Sequence, residues 1–327
     1  MTMYTIKERP EDFVVKENPG LFGNGVAIIC ILRKKNYTTR LAVDIVAKNL
    51  GTSKIGFAGN KDKQAVTEQY ISIEGISEDK ISKFSHPDIS LEIVGKGNPI
   101  SLGNLKGNTF LIRLRNVIGT IYSKEYFVNY FGEQRFSVAN VDVGRALVKK
   151  DFKKAVALIA HNNHKQTELE VRLKKNPSDY IGALTSISPS TLSLYINAYQ
   201  SYLWNLCVSN IIKSSSKSSS FISISNMSFF ISDYCSALDV SIPMVGFETE
   251  NIPLEMQNIL HSEGITPRDF IFPQYKQLTA PGGSRRIFAK ADDVLITPFK
   301  EDLIYDLQFS LPKGSYATVY IAQLFRA

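Results

Sequence analysis

A mixed α and β protein of two lobes is the fold class that this sequence predicts, and three observations carry the prediction. With 327 residues, 44% of them hydrophobic and 11% aromatic, the chain has ample core for one large domain or two ordinary ones. β-Branched, aromatic or alternating runs at 13–16, 26–32, 66–73, 89–94, 110–114 and 303–311 read as strands near both chain ends. Apolar residues at helical spacing, clearest over 195–212, read as helices between them.

In chain order, Pro10 biases its predecessor towards extended structure and leads into the strand 13–16. Asn18-Pro19-Gly20 and Gly23-Asn24-Gly25 are turn chemistry, and 26–32 is a continuous apolar run expected at the centre of a sheet. No Lys-Ser or Lys-Thr follows these glycines, so they form a hairpin loop and not a P-loop. Thr38 or Thr39 caps a helix with Leu41, Ile45, Val46 and Leu50 on its apolar face, and Gly51 stops it.

Gly56-Phe57-Ala58-Gly59-Asn60-Lys61-Asp62-Lys63-Gln64 then forms an irregular loop leading into the strand 66–73. Two ammonium groups flanking one carboxylate favour its ionised form, which suits a nucleophile or electrostatic stabiliser better than a general acid. A solvated, charged surface turn has the same pattern. Residues 110–114 alternate Phe110, Ile112 and Leu114 with Leu111 and Arg113, one core face and one basic face, after a loop over 103–108. A helical stretch from about 123 precedes Asn129-Tyr130-Phe131-Gly132-Glu133-Gln134-Arg135-Phe136, whose aromatics and polar groups fit either an unpaired base or a core edge. Residues 142–160 read as one helix with a basic middle, and 195–212 as an amphipathic helix with Ile196, Tyr199, Leu203, Leu206 and Ile211 on the core. A serine-rich connector fills 214–220, strand material 221–232, a short helix 252–262, a flexible basic turn 282–286, and a turn at 311–316 opens the last helix.

Net charge is +7 and the pI about 9.1, with basic clusters at 33–35, 145–154, 172–175 and 285–286. Clusters spread along the chain suit a long polyanion, although ordinary solvated helix faces give a similar count. Cys30, Cys207 and Cys235 are far apart and read as buried thiols; His161 and His164, the one close histidine pair, read as a surface helix end. No apolar run is long enough to span a membrane and the first residues lack a signal-peptide layout, so a soluble cytoplasmic protein is expected.

Several of these blocks together resemble one family, the TruD family of tRNA pseudouridine synthases. Gly59-Asn60-Lys61-Asp62-Lys63-Gln64-Ala65-Val66-Thr67-Glu68-Gln69 resembles its first signature and Asn129 to Phe136 its second. Pro10-Glu11-Asp12-Phe13-Val14-Val15, Leu105-Lys106-Gly107-Asn108 and Leu311 to Thr318 resemble others, all in the family's order. The resemblance implies an α+β fold: a pseudouridine synthase core with a mixed, largely antiparallel sheet, plus an α+β insertion (TRUD) domain, in a V-shaped two-lobed molecule. The core is expected over 1–136 and 286–327 and the insertion over 137–285.

The resemblance further implies an isomerase that converts uridine to pseudouridine, typically at position 13 of tRNA, with no cofactor and no metal; tRNA is the expected partner and a monomer the expected state. It assigns Asp62 and Lys7 as catalytic, and Phe13, Asn129, Phe131 and Tyr316 as substrate-binding. Lys61, Lys63, Arg135, Arg285 and Arg286 are the expected RNA contacts. The target base has to be flipped out of its stack to reach such a pocket. A non-catalytic RNA-binding protein or tRNA-folding chaperone is the alternative, and an enzyme of free uridylates a third reading, separated from a polymer substrate by the salt dependence of binding.

Overall fold

The computed structural model describes residues 3–137, 139–162, 166–215, 220–232, 240–299 and 303–325. They fall into two compact units. The first is Met1–Tyr126 with Lys290–Ala317 and Leu324–Arg326; the second is Phe127–Ala289 with Thr318–Gln323 and the last residue.

The first unit opens with strand β1 (Phe13–Pro19), strand β2 (Ala27–Lys35), helix α1 (Thr39–Leu50), strand β3 (Ile55–Phe57) and strand β4 (Val66–Ile73). Helix α2 (Glu78–Ser82), strand β5 (Ile89–Gly97) and strand β6 (Leu105–Leu114) follow. The chain then runs through strand β7 (Tyr126–Val128) into the second unit, with helices α3 (Asn140–Val148), α4 (Phe152–Asn162), α5 (Gln166–Lys175), α6 (Tyr180–Leu184) and α7 (Pro189–Ser215). Strands β8 (Ser220–Ile224), β9 (Met227–Ile231) and β10 (Ser241–Met244), helix α8 (Leu254–Glu263) and strands β11 (Gly283–Arg286) and β12 (Phe288–Lys290) complete it. Strands β13 (Asp292–Phe299) and β14 (Ile304–Pro312) return to the first unit, and helix α9 (Ala317–Gln323) is last.

One eight-stranded sheet dominates the first unit, in the order β13-β14-β6-β1-β4-β2-β5 with β3 also on β4. Only the β1–β4 pairing is parallel, so the sheet is mixed and largely antiparallel as expected. β2 lies next to the β5 edge and not at the centre. It is nevertheless apolar on both faces. Ile28, Cys30 and Leu32 pack with Ala42, Val43, Val46 and Leu50 of α1, while Ile29 packs with Ala58 and Ile100 on the other side. That double burial explains the unbroken apolar run.

Helix α1 starts where the Thr38 hydroxyl accepts the Leu41 amide and ends at Gly51 in the left-handed region, φ 67°. Its buried face is Thr39, Ala42, Val43, Val46 and Leu50, the 3–4 spacing of a helix lying on a sheet. Leu41 is exposed, because one residue's 100° rotation takes it off that stripe. β6 begins at Leu105, earlier than the alternation suggested. It buries Phe110, Ile112 and Leu114, as expected.

The second unit is organised on α7. Residues all round this helix are buried, including Tyr195, Tyr199, Trp204, Cys207 and Ile212, so it is a central helix and not a one-faced one. α3 meets it closely: a Cβ on Gly144 would lie 2.1 Å from the Tyr195 carbonyl oxygen, which only glycine permits. Residues 142–160 are two helices, broken at 149–151 where Lys150 takes φ 60°. β8 and β9 form a hairpin whose turn residues Ser225 and Asn226 both have positive φ, the twist that matches antiparallel strands. No helix forms near 123; the chain there leads into β7. The glycine-arginine stretch is not a flexible turn but β11, paired with β10. The serine connector is helical through Ser215 and extended from Ser220, and its centre lies outside the described residues, as do Cys235 and His164. Cys30 and Cys207 are buried free thiols, and no described helix is long and apolar enough to cross a membrane.

Candidate active site

β4 gives one edge to β2 along its whole length, so β1 and β3 must share the other. β1 takes Val66 to Glu68 and β3 takes Ile71 to Ile73, leaving the Tyr70 amide in the gap. The Glu17 carboxylate fills that gap, accepting from the Tyr70 N–H at 3.3 Å and from the Lys61 ammonium. Both partners are deeply buried, with 1% and 6% of their side chains exposed. Lys61 is therefore paired with Glu17.

The loop joining β3 to β4 is held at successive residues. The Gln69 amide donates to the Gly59 carbonyl at 3.1 Å, and the Thr39 hydroxyl donates to Gln69 Oε1 at 2.8 Å. The same hydroxyl accepts from the Lys61 N–H at 2.8 Å. Lys34, only 2% exposed, donates its ammonium to the Tyr37 carbonyl at 2.6 Å and to the Asp62 carbonyl at 2.9 Å. Burial pushes the Lys34 pKa down to about 8; the Asp62 charge opposes that fall and the Lys61 charge adds to it.

Held by its main chain, Asp62 presents its carboxylate to Lys7, whose Nζ lies 2.7 Å from Oδ2. About a quarter of each side chain is exposed, so the pair is reachable from solvent. The Lys7 ammonium also stands 4.1 Å from the centre of the Phe13 ring, within cation–π range. Gln64 donates to the Lys7 carbonyl at 2.6 Å. Lys7 has φ 61°, a backbone region that non-glycine residues seldom occupy. Lys7, Phe13 and Asp62, drawn from three separate stretches, thus form one cluster in the first unit. Lys63 is exposed at the end of the loop, and Tyr316 is half-buried at the turn between β14 and α9.

A second cluster forms within the second unit. Asn129, 7% exposed, accepts from Arg285 twice, at its side-chain oxygen (2.7 Å) and its carbonyl (2.8 Å). The Arg285 guanidinium lies 4.1 Å from the centre of the Phe131 ring and that of Arg135 lies 5.5 Å away. Trp204 meets the same ring edge-on at 5.6 Å, leaving Phe131 4% exposed. Asn205 fixes the Phe131 backbone, accepting from its N–H and donating to its carbonyl, both at 3.0 Å. Arg286 is exposed, and its carbonyl accepts from the Asn129 amide at 3.5 Å.

Most of the basic clusters are engaged with acids or rings. Arg33 pairs with Glu68 and Glu92, Lys35 with Glu11, Arg145 and Lys149 with Glu263, and Arg172 with Asp179. Lys150 stands over Phe272. Sequence reasoning missed Glu17, Lys34, Thr39, Gln69 and Asn205. For Lys34 a signal existed: period-two alternation from Cys30 and Leu32 puts it on the buried face of β2.

The family model described as "tRNA pseudouridine synthase D (TruD)" matches residues 2–172, 166–223 and 232–324. Among relatives, the tRNA pseudouridine synthase D of Nitratiruptor sp. is 30% identical, the match covering 98% of this chain and 94% of that protein. The tRNA pseudouridine synthase D of Aquifex aeolicus is 28% identical, with 98% and 97% covered. A protein of Thermococcus sibiricus named probable tRNA pseudouridine synthase D is 29% identical, with 98% and 94% covered. In fold, the chain is similar to the crystal structure of a TruD protein from Methanosarcina mazei, with TM-score 0.70, 22% identity, and 99% of this chain and 93% of that one covered.

Proposed function

Because this chain belongs to the TruD family of tRNA pseudouridine synthases, and so isomerises uridine to pseudouridine in tRNA, we propose that Asp62 is its catalytic carboxylate and position 13 its target. The observation that carries the assignment is the Lys7–Asp62 ion pair at 2.7 Å, beside Phe13 and on a loop held by buried hydrogen bonds.

In the reaction the bond from N1 to C1′ breaks, the uracil turns, and a bond from C5 to C1′ forms. C5 releases its hydrogen to solvent and N1 takes up a proton, so no atom is gained or lost. The Asp62 carboxylate faces the electron-poor sugar or the base, and Lys7 orients it while offsetting negative charge on the detached uracil. Phe13 supplies an apolar wall. Asn129, Phe131 and Tyr316 bind the target nucleotide in this reading. For the Phe131 ring to stack on a base, the Arg285 guanidinium has to leave it, since the ring is 4% exposed. Lys63, Arg135, Arg285 and Arg286 meet the RNA backbone, and Lys61 acts through its pairing with Glu17. The core is assigned to 1–136 and 286–327 and the inserted domain to 137–285. Compact packing instead divides the chain after Tyr126 and Ala289 and puts Thr318–Gln323 in the second unit; residues 129 to 131 pack with Trp204, Asn205 and Arg285.

The test is Asp62→Asn assayed by tritium release from tRNA carrying 5-tritiated uridine. Release is expected to fall to background with tRNA affinity unchanged to within a few-fold. Turnover by that variant would remove Asp62 from the chemistry. Loss of release when U13 is replaced in the substrate tRNA checks the position.

A further inference from the structure

Lys34 is only 2% exposed, and an ammonium is expensive to hold there. Its two acceptors indicate what it does. The Tyr37 carbonyl belongs to the connection between β2 and α1, and the Asp62 carbonyl to the loop, so one ammonium ties the sheet, the entry to α1 and the backbone of Asp62 together. We propose that Lys34 is a positioning residue for the isomerisation: its buried ammonium fixes the main chain of Asp62 from behind while Lys7 fixes the carboxylate from in front. The proposal rests on the reading of Asp62 as the catalytic carboxylate.

Two lysines thus hold Asp62 at its two ends, and the distinction between them is chemical. Lys7 is a quarter exposed and its ammonium contacts the side chain; Lys34 is enclosed and its ammonium contacts the carbonyl. A catalytic group displaced by about 1 Å loses roughly 100-fold in rate. The charges around Lys34 are Asp62 and Lys61 on the loop, with Lys7 on the Asp62 carboxylate and Glu17 of β1 compensating Lys61. With its pKa near 8, Lys34 gives up its proton, and its charge-assisted hold on the loop, in mildly alkaline solution. Stability moves the other way. A lysine whose folded pKa lies below its ordinary value holds its proton more tightly in the unfolded chain, so stability rises as pH climbs from the folded towards the ordinary pKa.

The experiment follows single-turnover tritium release from about pH 6 to about pH 9.5 for the wild type, Lys34→Met and Asp62→Asn, with tRNA affinity and melting temperature measured alongside. At neutral pH Lys34→Met is expected to be about 100-fold slower, to bind tRNA within a few-fold of wild type, and to melt somewhat lower while still folding, since the Tyr37 and Asp62 carbonyls lose their donor. The wild-type rate is expected to fall above about pH 8, and Lys34→Met to lack that fall. A wild-type rate that holds level through the alkaline range overturns the proposal, as does a Lys34→Met enzyme of wild-type speed or with the same alkaline fall. Should the methionine variant not fold, Lys34→Gln, whose amide can donate but carries no charge and does not titrate, replaces it, with loss of the alkaline fall as the criterion. Turnover by Asp62→Asn would instead defeat the catalytic reading itself.

Discussion

Lys7 combines a left-handed backbone with two contacts that share one ammonium, the Asp62 carboxylate and the Phe13 ring. Such a backbone costs about 1–2 kcal/mol for a residue with a Cβ, which the ion pair and ring contact of its side chain help to offset. Lys7→Met is therefore expected to slow isomerisation by roughly 100-fold or more in single-turnover assays, with a melting temperature at or above wild type. The buried pair behind the loop behaves oppositely. Glu17→Gln strands the Lys61 ammonium at 6% exposure and is expected to cost about 3–5 kcal/mol in urea denaturation; the double replacement Glu17→Leu with Lys61→Met should cost much less. Phe13 and Asp62 were legible in the sequence because each sits in a signature block, and Lys7 only through the family resemblance. Lys34 was not, because its charge grouped it with Arg33 and Lys35, which point into solvent from the same strand.

Among the elements, β3 was the one whose absence from the sequence reading mattered most for the loop. Three residues are too few for a periodic signal, yet β3 fixes where the loop to Asp62 begins. Its Gly56 is hemmed in: a Cβ there would lie 2.2 Å from the Ile100 carbonyl oxygen. Gly56→Ala is expected to destabilise by about 1–3 kcal/mol in chemical denaturation, as overpacking does, and to slow catalysis by shifting the loop. The ends of α1, in contrast, were legible, since its cap and its stop are local chemistry, whereas its face was only half read: Leu41 is exposed, and Ala42 and Val43 are buried. Thr38→Ala should cost about 1 kcal/mol by the same measurement. What misled the reading of α7 was treating one face as core. A helix enclosed on all sides has no polar stripe to locate, and only its neighbours α3, α8, β9 and β10 show why.

For the molecule as a whole, resistance to acid should depend on Asp12, which Arg115 grips with two hydrogen bonds of 2.8 and 3.0 Å. That guanidinium holds the Asp12 pKa below its ordinary 3.8. Its contribution to stability is present above that value and is lost as pH falls through the lowered one. Arg115→Met raises the Asp12 pKa, so acid unfolding followed by circular dichroism should occur at a higher pH than in wild type. The mixed, largely antiparallel character of the sheet was legible at this scale through the family resemblance; the order of its strands was not, because pairing partners lie far apart in the chain. β6 waits for β14: the hydroxyls of Thr109 and Ser310, hydrogen-bonded at 2.9 Å, are separated by 201 positions. At roughly 5–20 residues per second of synthesis, β6 has to stand with a naked edge for some 10–40 seconds while the second unit emerges from the ribosome. The newborn protein is thus exposed to edge-to-edge clumping during translation, and speeding β14 to its place or shielding β6 until it arrives is a task for the cell as much as for the chain.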